Sequence, residues 1–346
     1  MGKRKPESNL IKEHNINLVK NALMEMKTAT RTQLAKKTGI SQPTVNLIVL
    51  ELVNKGIVRP GSFASSSGGR RPQCYTFKTN HLRAATIRVY RHSLEYTVFT
   101  LDGTVISRNS WSLKNGESTL QGIKSLLNSV VKQDVNIRVI GIGVPGVVGV
   151  GGILHAIPQI PDLEGVALAH ELEEDQSIPI YVENDMNLVA LGSVETATGQ
   201  KFTDIVFMSI GEGIGAGIVI DGKIVRGYSR FAGEISFISD PYSENNKNET
   251  FESLLCNAGS INEQARLISR MVVSIICLIN PHIISFGSTL ATEELLTHLR
   301  RECEKHLPVW TLPSFQLTDD LSKAYDRGLM ASIRGVLAEI DFAKVE

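Results

Sequence analysis

Cysteine is scarce and scattered: Cys74, Cys256, Cys277 and Cys303 are the only four in 346 residues, and no two form a C-x-x-C pair. That spacing argues against a disulfide framework or a cysteine-built zinc cluster and suits a reducing cytoplasm, where the protein is expected. Long apolar runs are missing too. The longest, near Met271 to Ile279, is too short to cross a bilayer and reads as a buried helix, so no membrane partner is expected. The opening MGKRKPESNL is basic but lacks the apolar core of a signal peptide, and reads as a frayed arm. Net charge is absent as well, with 36 Lys and Arg against 36 Asp and Glu.

That neutrality hides a strong asymmetry. Residues 1–75 carry 13 Lys and Arg against 4 Asp and Glu, while the rest holds 23 against 32. A basic front on an acidic body is the electrostatic footprint of a module that binds duplex DNA, because neutralised phosphates release counterions. A length of 346 residues accommodates such a module plus one large or two medium domains.

The local grammar of the front agrees with its charge. In Ser41 to Asn54 (SQPTVNLIVLELVN), Ser41 is placed to cap a helix, Pro43 in the first turn gives up no intrahelical bond, and Val45, Ile48, Val49 and Leu52 form a buried stripe. Gln42, Thr44 and Asn46 begin the other face and are the candidates for base readout in a major groove. Taken alone, the segment reads more readily as a surface helix with a polar face. Upstream, Thr30 and Gln33 stand at capping-box spacing, and Gly39 supplies the turn of a helix-turn-helix. Ile16, Val19, Leu23 and Met26 mark a longer helix that completes a three-helix core. After Gly56, extended runs at Ile57 to Arg59 and Gln73 to Phe77 flank a wing-like loop, GSFASSSGGRRP, whose Arg70 and Arg71 are candidates for DNA contact. The DNA-binding domain is expected to span residues 1–80 and the body 81–346.

Beyond residue 80 strands and helices alternate, which predicts an α/β body. Strands are expected at Thr86 to Tyr90, Glu95 to Leu101, Thr104 to Ser107, Arg138 to Val144 and Ile178 to Val182, with helices at Thr119 to Val131, Gly165 to Glu174 and Met186 to Thr196. A second cycle brings strands at Ile205 to Ile210, Ile214 to Ile220, Lys223 to Arg226 and His282 to Phe286, and helices over Ser260 to Asn280, Thr292 to His306 and Lys323 to Ile340. The hairpins TLDGTVI and VIDGKIV echo each other, consistent with two related lobes.

An ordered series of motifs, SGGRRP, GIGVPG, VENDMN, SIGEGIGAGIVIDG, AGEI and LINPHIISFG, resembles the ROK family (repressors, open reading frames and kinases), specifically its repressor branch. The resemblance covers nearly the whole chain. It implies a winged helix-turn-helix followed by a two-lobed, actin-like, sugar-kinase-like (ribonuclease H-like) body with sugar bound in the cleft. In the family's kinases the aspartate matching Asp185 takes a proton from the sugar hydroxyl, and the neighbouring Asn, here Asn184, bonds the ring. Glu234 and Glu252 match further sugar contacts, and Gln159 stands where an Asn is usual. Amides and carboxylates suit sugars because each bridges adjacent hydroxyls. Competing readings make Asn184 or Asp185 only a helix cap and Glu234 and Glu252 solvated loop carboxylates.

Departures from the pattern carry as much weight. The kinases place D-x-G-x-T after the first strand of this body, for magnesium and phosphate. Here the stretch is IRVYRHS, with Arg88 at the Asp position, Tyr90 at the first Gly and His92 near the Thr, so catalysis is not expected. The family's zinc ligands are replaced by Phe237, Ser243, Asn245 and Thr250, none a soft ligand, so neither structural metal nor cofactor is expected. The resulting expectation is a DNA-binding transcriptional repressor of carbohydrate uptake or catabolism genes, homodimeric or homotetrameric, with a double-stranded DNA operator and a sugar or phosphosugar effector. A regulator controlled by a protein partner and a sugar kinase with a regulatory head are the alternatives.

Overall fold

The computed structural model describes residues 7–63, 71–77, 82–100, 103–176, 178–194, 202–211, 213–238, 251–318 and 320–339. The N-terminal head comprises α1 (Glu7–Met26), β1 (Thr28–Thr30), α2 (Arg31–Thr38), α3 (Gln42–Asn54), β2 (Val58–Phe63) and β3 (Gln73–Phe77). Its local signals act as expected. The Thr30 hydroxyl accepts from the Gln33 amide, and the Gln33 side chain accepts from the Thr30 amide at 2.8 Å. Gly39 ends α2 at φ 71°, a left-handed conformation that favours glycine. Ser41 caps α3 and Val45, Ile48, Val49 and Leu52 are buried. One strand of the head has no counterpart in the expected set: β1 pairs antiparallel with β3, which also pairs with β2. Three residues are too few for an alternation to be read.

Lobe one contains β4 (Arg83–Val89), β5 (Ser93–Thr100), β6 (Val105–Ser112), α4 (Thr119–Gln133), β7 (Ile137–Val144), a short hairpin of β8 (Val147–Val148) and β9 (Leu154–His155), α5 (Leu168–Glu173) and β10 (Ile180–Asn184). α6 (Asp185–Gly192) leads to lobe two: β11 (Ile205–Ser209), β12 (Gly215–Ile220), β13 (Lys223–Ile224), α7 (Phe251–Asn257), α8 (Ile261–Ile279), β14 (Ile283–Gly287), α9 (Glu293–Glu304), β15 (Ser314–Leu317) and α10 (Leu321–Glu339). The sheet orders are β10-β7-β4-β5-β6 and β13-β12-β11-β14-β15. In each, the first strand is central, an antiparallel hairpin lies on one side and two parallel strands on the other. The echo between TLDGTVI and VIDGKIV thus marks equivalent hairpins, β5–β6 and β12–β13. The strands β8, β9 and β15 and the helix α7 add to the expected set; all are short, and β15 is half-exposed.

Helix α10 returns from the end of the chain and packs on α6, on β7 and on α1 of the head. Its approach to α6 is a glycine crossing. A Cβ on Gly192 would lie 1.7 Å from the Ala324 carbonyl oxygen, and one on Gly328 1.8 Å from that of Leu188. Lobes one and two each have their own apolar core. A third cluster is continuous from Val19, Leu23 and Leu52 of the head to Leu188, Tyr325, Leu329 and Ile333, so the head shares its core with the helix that backs the cleft.

Candidate functional site

The parallel pair β7 and β10 delivers two loops to one end of the lobe-one sheet, a favoured place for ligand groups in α/β folds. There β10 gives way to α6, and Asn184 is the cap: its Oδ1 accepts from the Asn187 amide at 3.0 Å while its Nδ2 donates to the Gly146 carbonyl at 2.8 Å. Capping and ligand contact are compatible, because the amide oxygen has a second lone pair. Asp185 follows in the first turn, its Oδ1 accepting from the Met186 amide at 2.8 Å. Burial pushes the Asp185 carboxyl up to about 6, against the opposing pull of the Arg88 cation. Glu234 is also raised by burial. Across a narrow polar pocket Glu234 and Asn184 meet Glu183, Asn187, Arg226 and Arg230.

Glu183, Arg226 and Asn187 were not among the expected site residues, yet they build the wall of this pocket. Glu183 is 2% exposed. Its Oε2 accepts from Arg226 Nε and Nη2 at 2.9 and 2.6 Å and from the Tyr181 hydroxyl at 2.9 Å, while Oε1 accepts from Asn187 Nδ2 at 3.1 Å. The fork joins β10 of lobe one to the segment after β13 of lobe two. Asn187 Oδ1 is buried with no hydrogen-bond partner in the structure, so a donor on a ligand would find an acceptor there. A charged residue within a buried strand was the available signal for Glu183.

Arg88 acts on Asp185 through its charge. Its guanidinium carbon lies 4.4 Å from the ring centroid of Tyr325 on α10 and 5.2 Å from that of Tyr90. A cation held between two aromatic faces cannot serve as a magnesium ligand, and the rings fill space beside it. The other three expected sugar residues do not line the pocket: Asp185 follows Asn184 in the chain, and Gln159 and Glu252 are on other segments. Gln159 is exposed in the loop after β9. Glu252, in the first turn of α7, accepts from the Gly213 amide at 2.8 Å and so braces the glycine-rich hairpin of lobe two. Phe237 is 66% exposed and sits 5.1 Å, centroid to centroid, from Phe231. Ser243, Asn245 and Thr250 lie outside the described residues. Among the described residues no group of three His, Cys, Asp or Glu could hold a metal, and no helix is long and apolar enough to cross a membrane.

On the head, the expected base-reading trio divides. Gln42 is exposed, but its Nε2 donates to the Thr32 hydroxyl at 3.0 Å, and the Thr44 hydroxyl lies 2.8 Å from that of Ser41 within the cap. Asn46 is half-exposed. Arg71 is exposed beside β3, while Arg70 lies outside the described residues.

A family model described as ROK matches residues 84–260, and one described as winged helix-turn-helix DNA-binding matches residues 21–59. The chain is 28% identical to the xylose repressor of Caldicellulosiruptor bescii over 263 residues, 73% of this chain and 63% of that protein. It is 26% identical to the DNA-binding transcriptional dual regulator NagC of Escherichia coli K12, over 68% of this chain and 60% of NagC. It thus spans under two thirds of the length of these relatives. A crystal structure of a ROK family transcriptional regulator, a homologue of the E. coli MLC protein, superposes with a TM-score of 0.77 over 97% of this chain and 99% of that one at 20% identity. The ROK family glucokinase of Streptomyces griseus, solved with glucose and AMPPNP, covers 72% of this chain and 97% of its own length with a TM-score of 0.56 at 18% identity. With the cleft of a two-lobed α/β body behind a winged head, the chain belongs to the ROK family.

Proposed function

We propose that this protein is a sugar-responsive transcriptional repressor of carbohydrate uptake or catabolism genes, whose kinase-like cleft binds a sugar or phosphosugar without phosphorylating it. The observation that carries this reading is Arg88, clamped by Tyr325 and Tyr90 at the place where the family's kinases hold a magnesium-managing aspartate. The relatives named as xylose repressor and NagC support the regulatory half. The polar pocket lined by Asn184 and Glu234, with Asn187 Oδ1 unpaired, supports a polyhydroxylated ligand.

Two subunits would present their heads to successive major-groove faces, about 34–36 Å apart or a multiple of it. Gln42, Thr44 and Asn46 would face the bases while Arg70 and Arg71 reach phosphate or a narrow minor groove. α6 begins at Asp185 and crosses α10, which packs on α1. A ligand that prefers one lobe angle would therefore shift the heads, through its differential affinity for the two states.

The test combines selection of duplexes from a randomised pool with a panel of hexoses, pentoses, hexose 6-phosphates and pentose 5-phosphates. One of these is expected to release the selected duplex and, at 100 times its dissociation constant, to stabilise the protein by about 2.7 kcal/mol, while ATP turnover stays at background. Appreciable turnover with any sugar overturns the non-catalytic reading; release by none of them overturns the sugar reading.

A further inference from the structure

On the reading that the head binds duplex DNA, we propose that it recognises thymine through an apolar ridge on α3, with Leu47 and Leu50 packed against 5-methyl groups in the major groove. Leu47 is 70% and Leu50 50% exposed. Isolated exposed leucines are ordinary on protein surfaces, and what matters is where these two stand. At about 100° per residue, Pro43, Leu47, Leu50 and Asn54 line one narrow stripe of the helix. It lies opposite the stripe of Val45, Ile48, Val49 and Leu52 that enters the core. The outermost line of the recognition helix is therefore largely apolar.

The polar residues beside it are partly committed elsewhere. Gln42 is tied to Thr32 and Thr44 to Ser41, which leaves Asn46 as the flanking amide. A winged helix-turn-helix lays this helix in the major groove. The charge of the segment points to the same occupant, since residues 1–75 carry 13 cationic against 4 anionic side chains. A polycation presenting leucines fits a polyanion with apolar spots, and the apolar group on a major-groove base edge is the thymine methyl. Neither cytosine nor a guanine edge offers an apolar partner, so the ridge would desolvate their polar groups without return.

The experiment uses the full chain and the duplex it selects from a randomised pool. Each thymine of one half-site is replaced singly by deoxyuridine, which removes the methyl and leaves the hydrogen-bonding edge intact. One or two positions are expected to bind about fourfold more weakly, the equivalent of about 0.8 kcal/mol for one buried methyl group. Leu47→Ala or Leu50→Ala should abolish the deoxyuridine effect at its own position while leaving the salt dependence of binding unchanged, and Leu47→Met should retain it. Tight duplex binding with no deoxyuridine effect anywhere overturns the ridge and leaves the DNA reading standing. So does a DNA-free assembly that dissociates in Leu47→Ala, which would make the ridge a contact between copies. Failure to bind any duplex at low salt removes the DNA reading itself.

Discussion

The Arg88 guanidinium carbon lies 4.4 Å from the ring centroid of Tyr325, joining the first strand of lobe one to the last helix of the chain. Tyr325 is 1% exposed, and its hydroxyl rests so close to β7 that a Cβ on Gly143 would fall 1.6 Å from it. Truncation of this ring is thus a cavity at the junction of β4, β7, α6 and α10. Tyr325→Ala should lower stability to urea by about 3–5 kcal/mol. Tyr325→Phe should cost about 1 kcal/mol or less, because the donation to the Ile87 carbonyl is long at 3.5 Å. Equal losses from both changes would show that the hydroxyl, and not the ring, holds the junction.

Asp185 gives a pH dependence with a definite sign. Its folded-state carboxyl is raised to about 6 from an ordinary 3.8, so the native state binds the proton more tightly than the unfolded chain. Stability should therefore fall as pH rises from about 4 to about 6 and stay lower above that. Asp185→Asn should raise the unfolding free energy at pH 8 by an amount on the order of 1–3 kcal/mol and change it little at pH 4. A stabilisation that persists undiminished at pH 4 would exclude ionisation as its cause.

Gly328 lies in the interior of α10, where helix propensity alone favours Ala by about 1 kcal/mol. The crossing reverses that preference, because a Cβ would lie 1.8 Å from the Leu188 carbonyl oxygen of α6. Gly328→Ala should destabilise by about 1–3 kcal/mol, the range seen for overpacked cores, or force the two helices apart. Since α10 also touches α1, separation should register as altered operator affinity. A neutral or stabilising Ala would mean that the helices do not cross so closely.

The fork between Arg226 and the buried Glu183 spans the lobes, and breaking one side leaves a charge without its partner. Arg226→Met alone should cost about 3–5 kcal/mol, whereas Glu183→Gln combined with Arg226→Met should recover much of that loss. Additive losses in a double-mutant cycle would deny the coupling.

The elements that could be read in advance are those whose causes are local. The capping box of Thr30 and Gln33, the left-handed Gly39, the cap at Ser41 and the stripe of Val45, Ile48, Val49 and Leu52 each depend on residues within a few positions of one another. Long alternating strands such as β5 and amphipathic helices such as α8 were legible for the same reason. β1, β8, β9 and β15 were not, because two to four residues carry no period and pair only when the rest of the sheet is present.

Counting along the chain was also enough to bring Asn184 and Asp185 to the end of a buried strand. Which side chains surround them could not be counted. Tyr325 reaches Arg88, Arg226 reaches Glu183, and Gly328 meets α6 only because α10 folds back between the lobes and against the head. The sequence by itself determined the caps, the periodicities and the split of charge between front and body, all set by neighbours along the backbone. Tertiary structure decided the pocket wall, the glycine crossing and the core shared by head and cleft, since burial and ion pairing are settled by groups far apart in the chain that meet only after folding.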